Sequence, residues 1–146
     1  MAKNKEIDDQ SLIEEYPFLI IGGTPAKYNW YDCIPEGWRV AFGPEMIKEL
    51  KDILIKASKK DNIDWVREYK IDDVKEKWGY LHWYASIPSC VYEEYCEWED
   101  KYEALSFNTC IECGAPADGY TTGWVAPICA KCAKKHNLVM TPKQND

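Results

Sequence analysis

The sequence predicts an α+β fold in which a small antiparallel sheet is packed by two helices and a cysteine-based finger follows at the C-terminal end. Three observations predict it. Two stretches carry apolar residues at helical spacing, an aromatic run interrupted by glycine lies between them, and two Cys-x-x-Cys pairs sit near the end of the chain. A chain of 146 residues is long enough for one core with a small appendage. The expected division is a flexible start over residues 1–10, an α+β domain over 11–107, a finger packed on it over 108–140, and a flexible tail over 141–146.

Taken in order, residues 11–15 read as a short helix capped by Ser11 and stopped near Pro17. Between residues 18 and 43 the turn formers Gly22, Gly23, Pro25, Pro35 and Gly37 predict loop with short extended pieces. The first long helix is expected to start at Gly43-Pro44, because proline suits the first helical position. Met46, Ile47, Leu50, Ile53, Leu54 and Ala57 then form one apolar face, and Lys59 and Lys60 favour its C-terminal end. Residues 64–86 read as strands from Trp65, Tyr69 and Ile71 through Tyr80, Leu81, Trp83 and Tyr84. A turn at Lys77-Trp78-Gly79 makes them a hairpin, and a bulge near Asp72-Asp73 reconciles the three-residue gap between Ile71 and Val74. A second helix runs from Ser89 to about Phe107 with the stripe Val91, Tyr95, Trp98, Tyr102 and Leu105.

Cys110-x-x-Cys113 and Cys129-x-x-Cys132 are separated by fifteen residues, a spacing that points to a metal. Two residues between cysteines let both thiolates face one ion, and two such pairs complete the tetrahedron that Zn²⁺ prefers. Gly114 follows the first pair, where the chain must turn back sharply. Residues 120–125 read as a short hairpin, and the second pair opens a helix over residues 129–136. Knuckle, hairpin and helix in this order are the treble-clef (GATA-like) arrangement. The expected cofactor is one structural Zn²⁺ per chain, because four thiolates close the site to water. His136, four residues after Cys132, reads as an exposed helix-end residue. Cys33, Cys90 and Cys96 remain, and neither they nor a Cys33–His82 pair form a local nucleophile motif.

The run Val74-Lys75-Glu76-Lys77-Trp78-Gly79-Tyr80-Leu81-His82-Trp83-Tyr84 resembles a signature of small phage and prophage proteins of unassigned function. Tyr16-Pro17, Gly37-Trp38, Leu105-Ser106 and the cysteine-bearing segments with Gly114, Pro116, Gly123, Trp124 and Pro127 extend the resemblance over most of residues 16–136. His82 stands where those proteins often carry Arg. The resemblance implies a phage or mobile-element origin and a zinc-bearing C-terminus. It brings no activity with it.

Charge and composition narrow the function classes. Net charge is −7, and residues 92–103 carry Glu93, Glu94, Glu97, Glu99, Asp100 and Glu103 against Lys101 alone. Such a helix face suits a basic partner, here a host protein engaged by protein–protein contact. Candidate binding residues are Trp78, Tyr80, His82, Trp83, Tyr84, Glu93, Glu94 and Glu97. Nucleic-acid binding is the alternative, with Arg67, Lys70, Lys75 and Lys77 among the aromatics, but Glu68, Asp72, Asp73 and Glu76 cancel them. A small-ligand pocket built from the aromatics of residues 78–84 is a further alternative. No Gly-rich phosphate loop, Ser/His/Asp arrangement or His-Glu-x-x-His motif argues for an enzyme. No apolar run reaches the length of a membrane span, and no apolar stretch follows the basic start, so the expected location is the cytosol.

Overall fold

The computed structural model describes residues 9–21 and 29–143. Its helices are α1 (Asp9–Glu15), α2 (Glu36–Asp61), α3 (Trp65–Glu68), α4 (Tyr92–Phe107) and α5 (Ala130–Lys135). Its strands are β1 (Ile71–Lys77), β2 (Tyr80–Ala85), β3 (Gly119–Thr121), β4 (Pro127–Ile128) and β5 (Met140–Pro142). They form an antiparallel hairpin, β1–β2, and a separate three-stranded sheet ordered β4-β3-β5. The fold is mixed helix and sheet, as the periodicities predict.

Aromatic and aliphatic burial builds the main core. The hairpin contributes Ile71, Val74, Leu81 and Trp83, α2 contributes Trp38, Met46, Leu50 and Leu54, and α4 contributes Tyr95, Trp98 and Tyr102. Large aromatics bury well only if their polar ends find partners. Trp98 Nε1 donates to the Met46 carbonyl at 2.9 Å, and Trp83 Nε1 donates to Tyr69 Oη at 3.0 Å. The hydroxyls of Tyr69 and Tyr95 meet at 2.6 Å, and burial pushes both well above the usual phenol range.

The hairpin turn falls on Trp78-Gly79, both with positive φ (57° and 85°), as a two-residue turn of this handedness requires. Register shifts between Ile71 and Asp73, which is the expected bulge.

Several expectations are corrected. Helix α2 begins at Glu36, two turns before Gly43-Pro44, and Pro44 lies inside it. Gly43 has no Cβ to strike the proline ring, which lets the helix pass through. Val40, whose carbonyl loses its Pro44 donor, is half exposed and open to water. The strand expected at Trp65 is helix α3. Trp65 donates its backbone N–H to Ser58 Oγ and its Nε1 to Asp61 Oδ2, both at 2.9 Å, so the chain folds back on the end of α2.

The α4 stripe ends on Ser106, which is buried, while Leu105 is exposed. Ser106 Oγ accepts the Leu81 N–H at 2.9 Å and donates to the Glu103 carbonyl at 2.6 Å, so a hydroxyl fills the slot facing the sheet. At the chain ends, Asp9 and Gln10 belong to α1 rather than to a flexible start, and Ser11 lies inside that helix. Thr141 and Pro142 belong to β5 rather than to the tail, because β3 supplies an open edge for them. The remaining residues of the expected flexible ends, 1–8 and 144–146, and the turn formers Gly22, Gly23 and Pro25 lie outside the described residues.

Candidate functional site

The four cysteines of the two pairs converge. Cys110, Cys113, Cys129 and Cys132 place their Sγ atoms within 4.8 Å of one another, and the Cys113–Cys129 separation is 3.7 Å. Sulfurs at the corners of a tetrahedron with bonds of about 2.3 Å lie about 3.8 Å apart, so this geometry fits one metal ion. The knuckle closes through Cys110 N–H to the Ala115 carbonyl (2.7 Å) and Gly114 N–H to the Cys110 carbonyl (3.0 Å). Gly114 has φ +84°, and a Cβ there would strike the Gly37 carbonyl at 2.7 Å. Cys129 caps α5, its Sγ accepting the Cys132 N–H at 3.4 Å. Burial, followed by contact with the neighbouring cysteines, pushes the Cys132 thiol well up, and burial also raises Cys113. A metal cation in their midst reverses that logic by making the thiolates favourable.

The finger is docked, not tethered. A Cβ on Gly37 would lie 2.2 Å from the Cys110 carbonyl oxygen, so the first turn of α2 touches the knuckle backbone directly. Gly37 N–H donates to the Ile111 carbonyl at 3.0 Å, and buried Trp38 donates its Nε1 to the Thr109 carbonyl at 3.0 Å. At the other end of the seam Tyr80, Phe107 and Tyr120 stack in a column, with centroids 4.1 and 4.4 Å apart. Trp124 Nε1 donates to Glu76 Oε1 at 3.0 Å across the same seam. His136 is exposed and meets Glu112 at 2.7 Å.

The aromatics of residues 78–84 do not share one surface. Trp83 is buried in the core and Tyr80 is taken up by the stacked column. Trp78 (69% exposed) and Tyr84 (41%) are displayed, and His82 stacks on Tyr84 at 6.0 Å. Among the basic residues near them, Lys75 pairs with Asp73 at 3.5 Å.

The acidic helix divides into paired and unpaired groups. Glu94 binds Lys56 at 2.7 Å, which holds its carboxyl below the usual range, and Lys101 is drawn off to Glu49 at 2.9 Å. Glu93, Glu97, Glu99, Asp100 and Glu103 form no ion pair among the described residues. Glu99 and Glu103 line a cleft of about 370 Å³ together with Asp72 and residues 81–85 of β2. Burial, then repulsion from Glu103 and Asp100, raises the Glu99 carboxyl.

Asp72, Glu99 and Glu103 are absent from the sequence-derived candidates. The available signal was position: Glu99 and Glu103 each follow a core residue, Trp98 and Tyr102, and are four apart, which aligns them along one rim of the buried stripe. Among the described residues no helix is long and apolar enough to cross a membrane. Comparison with family models, curated proteins and solved structures finds no match to this chain.

Proposed function

We propose that the chain is a non-enzymatic binding protein of a phage or mobile element, acting in the host cytosol on a basic host protein through its α4 face. The observation that carries this reading is the set of acidic side chains along α4, from Glu93 to Glu103, of which only Glu94 has a cationic partner among the described residues. Unpaired carboxylates at the surface steer and select a partner of opposite charge. Origin in a phage or mobile element rests on the resemblance of residues 74–84.

The finger is read as a treble-clef, GATA-like unit holding one structural Zn²⁺. Knuckle, short sheet and helix carrying the second pair support the type, and four cysteine sulfurs within 4.8 Å of one another support zinc. Nucleic-acid binding is less favoured, because Tyr80 and Trp83 are used in packing and the nearby cleft is acidic.

The test is a tagged pull-down from host lysate, with and without nuclease, at two salt concentrations. A protein recovered despite nuclease, and lost by a Glu93→Lys/Glu97→Lys/Glu99→Gln/Glu103→Gln variant, supports the reading. Recovery that depends on nucleic acid and falls steeply with salt replaces it with a nucleic-acid-binding finger.

A further inference from the structure

The hairpin has only two strands, so each has an edge without a sheet partner among the described residues. Register identifies the groups that face the β2 edge. Residues flanking a two-residue turn exchange both backbone hydrogen bonds, and bonded and non-bonded pairs then alternate along the ladder. Lys77–Tyr80, Lys75–His82 and Asp73–Tyr84 are therefore the bonded pairs, with Glu76–Leu81 and Val74–Trp83 between them. Leu81 and Trp83 accordingly turn their N–H and C=O groups away from β1. The Leu81 N–H donates outward, to Ser106 Oγ at 2.9 Å, in agreement with this geometry. No bond outside the ladder reaches the Trp83 N–H or C=O among the described residues.

That edge borders the acidic cleft. Residues 81–85 line it as one contiguous run of strand, and Asp72, Glu99 and Glu103 line it without a cationic partner among the described residues. A strand edge with unpaired backbone groups supplies backbone pairing, and flanking carboxylates select the charge of what pairs there.

We propose that the β2 edge accepts an extended, arginine- or lysine-bearing segment of a partner protein as a third strand of the hairpin. Trp83 N–H donates to a carbonyl of the segment and the Trp83 carbonyl accepts one of its N–H groups. Side chains alternate along a strand, so every second residue of the segment is placed to meet Glu99 and Glu103. This inference rests on the reading of the acidic face as the binding surface, and it names the site and the form of the ligand.

The probe is the fluorescent peptide acetyl-Val-Arg-Val-Lys-Val-Arg-Val-amide, titrated by anisotropy at low salt, with amide exchange of the ¹⁵N-labelled protein followed by NMR. Expected are saturable binding, slowing of Trp83 amide exchange by about tenfold or more, and a loss of about tenfold in affinity for Glu99→Gln/Glu103→Gln. N-methylation of one alternate set of peptide residues should abolish binding while the other set tolerates it, because only one set faces the edge. Binding with an unprotected Trp83 amide and indifference to N-methylation overturns strand addition, while the acidic-face reading stands. Absence of saturable binding also overturns strand addition. If the pull-down then recovers no basic protein, the broader reading falls with it. A Trp83 amide already protected in a peptide-free dimer, seen by sedimentation, overturns the proposal in favour of a second copy of the chain.

Discussion

At Gly37 a single missing methyl decides whether the finger can dock. The Cys110 carbonyl occupies the space a Cβ would need, at 2.2 Å, and backbone cannot move aside as a flexible side chain can. Gly37→Ala should therefore cost about 3 kcal/mol, the upper end of overpacking penalties. A urea midpoint unchanged from the parent protein would contradict this close approach. From its local pattern in the sequence Gly37 reads as a turn former; its packing role depends on a segment more than seventy residues away. The cysteines differ, since their spacing alone announces the site and the structure adds only that the sulfurs converge.

Two elements combine local rules with tertiary demands. The hairpin turn is legible because Gly79 suits a positive φ, yet Trp78 occupies the other left-handed position while 69% exposed. A non-glycine residue there is strained by about 1–2 kcal/mol, and asparagine tolerates it best. Trp78→Asn should raise stability by about 1 kcal/mol, read from the denaturation midpoint, because little packing is lost. A fall in stability would mean that Trp78 is held by contacts its exposure conceals.

Helix α4 supplies the second case. Glu99 has a folded-state pKa above its unfolded value, so the folded chain binds more protons between the two and loses stability as pH rises through that window. Glu99→Gln should consequently raise the melting temperature at pH 7, with the gain shrinking to nothing below about pH 4. An equal gain at both values would show that the effect is not electrostatic. The apolar stripe of α4 was readable from its spacing except at the end, where Ser106 displaces Leu105 because the Leu81 N–H needs an acceptor.

On the scale of the whole molecule, the cysteine cluster and the main core share the start of α2. Disruption of the cluster should therefore be felt outside the finger. Cys110→Ser should lose metal by native mass spectrometry and speed exchange of the Gly37 amide, whose acceptor is the Ile111 carbonyl. Amides of the β1–β2 ladder should stay protected, since the hairpin packs on α2 and α4 through its own apolar face. Retention of metal by the variant would remove Cys110 from the ligand set.

Features written in short-range chemistry are legible along the chain. These are the amphipathic faces of α2 and α4, the turn at Trp78-Gly79 with its bulge at Asp72-Asp73, and each of the two Cys-x-x-Cys pairs. Each depends on residues within a few positions of one another, where spacing maps directly onto geometry. Packing between distant segments sets where α2 begins, which of the aromatics at 78–84 are displayed, how the finger sits on the domain, and that the β2 edge borders a cleft with Glu99 and Glu103. Those outcomes depend on partners distant in the chain, because the burial of Trp83, the stacking of Tyr80 and the docking of Gly37 are set by surfaces that local periodicity does not encode.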